Sequence, residues 1–286
     1  MIVSQLINGF FLGSLYVLFA MGLTLPFIVF RVPWFTHAAL VMYGGFFTYI
    51  SCVLWGLNFW LAMAIAAGCC ALIAVVLERG VLHYLYDMPH AQLLVVIFGL
   101  YTVLQFTAIA AWGVESKSVS NFAPGMIILG GTRIPVSNLI VLVFGLVAIF
   151  MVHYFLKKTK LGKAIRATSQ DYGTASILGI NVNRVRTIVF LITGIFAGLA
   201  GAFLVSLFKV DPFMADYVIM KVFIVIVLGG FGSILGTIAG GYIVGMLESL
   251  IAGYISSQLR DPILFSIVIL ILLVRPTGLF AKEKRI

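Results

Sequence analysis

The chain has 286 residues, 63% hydrophobic and only 9% charged, with a mean hydropathy of +1.19. Soluble domains carry roughly a quarter charged residues, so this composition excludes a soluble protein and predicts a polytopic one buried in lipid and in helix–helix contacts. The net charge of +9 does not argue for nucleic acid, because the cations sit at the ends of apolar runs and in one polar island, where anchoring against anionic lipid predicts them.

Apolar runs fall near residues 5–30, 36–55, 60–77, 93–112, 138–156, 187–208, 218–231, 233–254 and 263–275. The first lacks a basic leader and a small-residue cleavage site, so no cleavable signal peptide is expected. The three cysteines, Cys52, Cys69 and Cys70, lie inside apolar runs and read as small core residues rather than ligands or disulfides. His37, in RVPWFTHAAL, sits between a Pro33 break and a new run, as a structural histidine or a pathway residue. Gln105 in YTVLQFTA suits an interhelical hydrogen bond or a pathway contact.

Residues 113–137 form a loop rich in Gly, Pro and Ser with a hairpin-like GGTRIP, read as a connector or, alternatively, as a docking surface for an external partner. The island follows at 157–186, KKTKLGKAIRATSQDYGTASILGINVNRVR, with seven Lys or Arg against the single acid Asp171. Such a loop is expected on the cytoplasmic side. Its order predicts more than an anchor: Gly162, a helical pattern at Ala164, Ile165 and Ala167, capping Ser and Asp residues, then an apolar pattern at Ala175, Ile177 and Leu178 stopped by Gly179. This spacing predicts a short helix over Ser169–Leu178 lying outside the bilayer.

In the C-terminal part, 218–231 and 233–254 are separated only by Gly229, Gly230, Gly232 and Ser233, the signature of a broken helix or tight reversal. The basic tail (Lys282, Lys284, Arg285) should share the island's side. Like-sided segments need an even number of crossings between them, so the two runs count separately and the first four residues lie outside. The fold prediction is an all-α polytopic membrane protein of a single domain, with eight or nine transmembrane segments and a broken or re-entrant helix pair near residues 218–254.

Two ionisable residues fall deep in apolar runs. Lys221 and Glu248 would each cost about 2.5–3.5 kcal/mol at a bilayer centre, so each should face protein or water. Lys221 reads equally as a residue snorkelling from a span end, and Glu248 is expected in the interior with Lys221 as its obvious partner. The motifs of metalloproteases, Cys-x-x-Cys sites and nucleotide-binding loops are missing, and LGKAIR lacks both the glycine spacing and the Ser/Thr of a phosphate loop. An enzyme is therefore not expected. Any ATP must be hydrolysed on another subunit, and this chain is expected to bind no cofactor or metal.

LGKAIRATSQDYGTASILGINVNRV resembles the cytoplasmic coupling loop of permeases of branched-chain amino acid ABC transporters of the LivH type. NGFFLGSLYVLFAMGLTL resembles that family's opening span, and KVFIVIVLGGFGSILGTIAGGYIVGMLES with LILLVRPTGLF resembles its closing half. The resemblance implies one permease domain over 1–286, in a prokaryotic cytoplasmic membrane. It also implies a second permease, two ATPase subunits that use ATP, and a soluble substrate-binding protein as partners. Gly162, Arg166, Ala167, Asp171, Ala175, Leu178, Gly179, Ile180 and Asn181 match the coupling pattern. Lys221, Gly229, Gly230, Gly232, Ser233, Gly236, Gly240, Gly241 and Glu248 match the closing half. Two departures stand out: Trp34-Phe35-Thr36-His37-Ala38 where the family has Asn-Phe-Ala-His-Gly, and His83-Tyr84 in place of an Arg-Pro pair. If the first lines the pathway, the substrate need not be leucine, isoleucine or valine; other amino acids, amides, urea and aromatic acids remain open. The alternative function is a self-contained secondary transporter coupled through Glu248 and Lys221.

Overall fold

A computed structural model describes residues 2–86, 88–129, 132–275 and 278–280. Each apolar run folds as a helix. In chain order these are α1 (Ile2–Phe30), α2 (Thr36–Tyr49, continued by a π-helical turn over Ile50–Leu54), α3 (Phe59–Gly80), α4 (His90–Trp112) and α5 (Val136–Lys158). The island forms α6 (Lys160–Gln170) and α7 (Tyr172–Ile177), followed by α8 (Val182–Leu207), α9 (Met214–Gly229), α10 (Ile234–Tyr254) and α11 (Arg260–Val274). Seven helices among the described residues are long and apolar enough to cross a membrane. The other two long apolar elements, α9 and α11, have 16 and 15 residues, short of the roughly 20 that cross a bilayer unaided.

Loop 113–137 contains the only strands among the described residues, an antiparallel hairpin of β1 (Met126–Leu129) with β2 (Thr132–Pro135). A bridge between Lys117 and Val210 ties this loop to the α8–α9 connection. The tail residues Lys282, Lys284 and Arg285 lie outside the described residues.

Small residues set the helix spacing. A Cβ on Gly9 would come within 2.9 Å of Met246 Cα, and one on Gly13 within 2.9 Å of Tyr242 Cα, so α1 and α10 touch backbone to backbone. Such contact maximises dispersion where lipid offers no hydrophobic drive between helices. The buried centre is continuous from α1 and α2 through α8, α9 and α10. α4 and α5 pack on its outside and leave large side chains such as Val95, Phe106 and Phe150 exposed, as a lipid-facing surface requires.

The two ends of this bundle differ. At one end lie the α6–α7 arm, the 81–89 connection, the α9–α10 turn and Leu279, whose N–H donates to Leu228 O at 2.9 Å. At the other lie the hairpin, the α8–α9 and α10–α11 connections and the start of α1, where Ser249 Oγ donates to Gln5 O at 2.7 Å.

Candidate functional site

The turn between α9 and α10 brings Lys221 and Glu248 together. Gly230 and Gly232 have φ of 89° and 77°, a left-handed backbone that only glycine adopts cheaply. Ser233 caps α10 by accepting from Gly236 N at 3.0 Å, and a Cβ on Gly229 would overlap the Gly236 carbonyl. The break is thus a tight reversal, and the helices leave it side by side.

Lys221 Nζ donates to Glu248 Oε2 at 2.8 Å, with side-chain exposures of 3% and 0%. It also donates to Asp261 Oδ1 at 2.7 Å, from the start of α11. Arg260 Nη1 lies 3.2 Å from Glu248 Oε1, and Tyr16 of α1 donates its hydroxyl to Glu248 Oε2 at 2.6 Å. The Tyr217 hydroxyl is 3.1 Å from that of Tyr16. Two cations and two carboxylates therefore form a balanced cluster joining four helices. Pairing of this kind is what makes charge tolerable in a medium where a lone ion costs several kcal/mol. Lys221 is an interior residue, not a snorkelling one. Arg260, Asp261, Tyr16 and Tyr217 carry no signal in sequence, since the first two sit at a helix start where charge is commonplace and the tyrosines sit among other aromatics.

His37 is fully buried, its Nε2 2.9 Å from Phe19 O and its ring packed where a side chain on Gly22 would be. It fastens α2 to α1. The neighbouring Trp34 is 1% exposed, and Thr36 donates to Ile97 O at 3.0 Å. The 34–38 departure therefore lies in packed interior. Gln105 donates to Asp216 Oδ2 at 3.0 Å and to Pro212 O at 3.2 Å, and the Tyr101 hydroxyl also donates to Asp216. Gln105 is thus an α4–α9 fastener.

The arm departs from the single helix expected over Ser169–Leu178. Asp171 breaks the chain into two helices: its backbone is extended, and its Oδ1 accepts from Thr174 N at 2.8 Å to cap α7. That N–H holds the Asp171 carboxyl below the usual carboxylate range. Ser169 caps nothing and donates to Arg166 O at 2.8 Å. Thr159 caps α6 by accepting from Gly162 N at 2.9 Å. A side chain on Gly162 would overlap the end of α5. Gly179, at φ 82°, ends α7, and Ile180 N reaches back to Ala175 O at 3.1 Å. Arg166 is exposed, Ala175 is turned inward at 2% exposure, and Ile177 and Leu178 project outward at 87% and 74%.

One further contact joins the arm to the bundle. Arg186, on the first turns of α8, is 7% exposed. Its guanidinium carbon lies 3.8 Å from the ring centre of Tyr86, 4.9 Å from that of Tyr172 and 5.7 Å from that of Phe30. Tyr172 opens α7, Tyr86 belongs to the 81–89 connection, and Phe30 ends α1. Burial pushes the Tyr86 phenol up, so it presents a neutral ring. In sequence Arg186 is one more basic residue of the island.

A sequence profile described as branched-chain amino acid transport system / permease component matches residues 5–275. The high-affinity branched-chain amino acid transport system permease protein LivH of Salmonella typhimurium is 29% identical over 98% of this chain and 96% of its own length. The corresponding BraD protein of Pseudomonas aeruginosa is 28% identical over 98% and 96%. The ribose import permease protein RbsC of Haemophilus influenzae is 32% identical over 34% of this chain and 32% of its own. No solved structure matches the chain. The chain belongs to the family of branched-chain amino acid transport permease components and is a multi-pass permease subunit of an importer.

Proposed function

We propose, from that membership, that the chain pairs with a second permease in a prokaryotic cytoplasmic membrane. The pair imports a branched-chain or related amino acid delivered by a soluble binding protein, while two ATPase subunits hydrolyse the ATP. The observation that carries this reading is the arm. A capped two-helix element hangs from one end of the bundle and presents Tyr172, Ile177 and Leu178 to its surroundings. Exposed apolar side chains outside the spans are a docking surface. A rigid capped helix passes displacement on where a loop absorbs it. The docking face is carried by Ile177 and Leu178; Ala175, matched to the coupling pattern, packs beneath them.

The test is co-purification and transport with the ATPase subunits. Ile177→Asp together with Leu178→Asp should release the ATPase and abolish ATP-driven uptake while the permease still purifies intact. Uptake by this chain alone, driven by an ion gradient without ATPase partners, would instead establish a secondary transporter.

A further inference from the structure

A groove of about 340 Å³ runs between α5 and α8, with α1 as its floor. Its lining is apolar throughout. On α5, Phe144, Val147, Ala148, Met151, Val152 and Phe155 recur every three or four residues and so form one stripe. Leu18 and Leu25 of α1 face it, with Ile192 and Leu199 of α8. The Phe144 and Phe203 rings, centroids 5.1 Å apart, close the end nearer the hairpin. Met151 is 62% exposed, so the groove opens to the outside of the bundle. From Phe144 to Phe155 the stripe rises about 16 Å, close to the roughly 15 Å depth of one hydrocarbon leaflet. The arm end of the groove is basic. The α5 stripe continues one turn further to Lys158, and α6 folds back there against α1 and α8. Lys157, Lys158, Lys160, Lys163 and Arg166 are all exposed, and none makes an ion pair among the described residues. Asp171, the nearest acid in sequence, is engaged in capping α7.

We propose that this groove binds one acyl chain of an anionic glycerophospholipid from the leaflet at the arm end, with the headgroup held by Lys157, Lys158 and Lys160. The proposal goes beyond the import reading and does not depend on what is transported. An apolar groove open to lipid takes up an alkyl chain by dispersion, and left empty it forfeits those contacts. The chain alone would not select among lipids, since all of them carry equally apolar tails. Selection comes from the basic strip, because several unpaired cations beside the end of a span favour an anionic headgroup over a zwitterionic one. An apolar protein helix in the groove would leave those cations without a counter-charge. A lipid seated there braces α5 against α8 on the arm side of the Phe144–Phe203 contact, at the root of the arm.

The test uses the full chain, purified in mild detergent and mixed with equal amounts of dioleoylphosphatidylglycerol and dioleoylphosphatidylcholine. Native mass spectrometry then counts the bound lipid. The wild type should retain phosphatidylglycerol about tenfold over phosphatidylcholine. Lys157→Gln, Lys158→Gln and Lys160→Gln together should abolish that preference; the three side chains are exposed, so the fold should persist. Leu199→Trp fills the groove and should cut retention of phosphatidylglycerol about tenfold. Equal retention of the two lipids by the wild type, an undiminished preference in the lysine variant, or undiminished retention in Leu199→Trp overturns the proposal. A wild type that holds neither lipid also overturns it, and loss of pairing with the second permease in Leu199→Trp would then assign the groove to a protein partner.

Discussion

Lys221 and Arg186 are the two lysine or arginine side chains buried among the described residues, and they are accommodated by opposite means. Lys221 is met by carboxylates, at 2.8 Å and 2.7 Å. Among the described residues Arg186 makes no ion pair; it is enclosed by the faces of Tyr86, Tyr172 and Phe30, with its Nε unpaired. The difference follows from the cations. An ammonium is a compact, strongly hydrated charge that needs anions or hydroxyls in place of its water, whereas a planar guanidinium is weakly hydrated and stacks on rings. The locations differ in the same sense. The ion-paired cluster locks α1, α9, α10 and α11 in a directional, all-or-none manner. The aromatic cage joins the arm to the bundle by contacts that tolerate sliding.

The largest effect should come from breaking the ion-paired side. Glu248→Ala removes the buried acid between Lys221 and Arg260 and leaves both cations with Asp261 alone, at a cost of about 3–5 kcal/mol. It should appear as a collapse in the yield of monodisperse protein and in its unfolding midpoint. Lys221→Met combined with Glu248→Met keeps Arg260 and Asp261 as a balanced pair and should recover much of that loss. A double variant as unstable as the sum of its singles would show that the cluster is not a charge-balanced unit.

The cage side should respond less. Arg186→Ala removes cation–π contacts worth about 2 kcal/mol when desolvated, and the arm should become a protease-sensitive segment while the spans stay folded. Arg186→Lys sharpens the contrast. If planarity matters as argued, lysine should resemble alanine, and protection at the wild-type level would show that charge alone holds the arm.

The α9–α10 turn bears on the ion-paired side, because it sets the register of Lys221 against Glu248. Gly232→Ala meets no atom closer than 3.6 Å, so its effect isolates the left-handed backbone, about 1–2 kcal/mol for a side chain there. A thermal-shift assay should show a smaller drop than Glu248→Ala gives. An unchanged midpoint would mean that the turn relaxes without disturbing the cluster.

The smallest effect belongs to Asp171. Its carboxyl is held below the usual aspartate range by Thr174 N. Its capping contribution is therefore complete above the ordinary aspartate value and is lost as pH falls through the lower folded value. The protection factors of the α7 amides, taken against the intrinsic exchange rate at each pH, should fall on acidification in that window. Asp171→Asn, which still accepts the bond, should remove the pH dependence with little change at neutral pH.

Much of the architecture was legible because hydrophobic length and glycine punctuation are local properties. The apolar runs are the helices and the Gly229–Ser233 break is the reversal, while the basic tail on which the parity count rested lies outside the described residues. The arm's chemistry was legible in kind, but not the exact cap: Ser169 and Asp171 are both capping residues, and the extended backbone at Asp171 alone decided where α7 begins. The inward turn of Ala175 was hidden for a related reason, since the face a six-residue helix buries depends on what lies beneath it.

By itself, the sequence determined the solvent. A chain with 9% charge can only satisfy its backbone inside helices packed in a membrane, and ionisable residues as deep as Lys221 and Glu248 must find partners there. Only the tertiary structure decided who those partners are. Tyr16 lies 232 positions from Glu248, and Tyr86 lies on the 81–89 connection whereas Arg186 lies on α8. No periodicity or spacing encodes such meetings, because they are set by how α1, α9, α10 and α11 cross once small residues let their backbones touch.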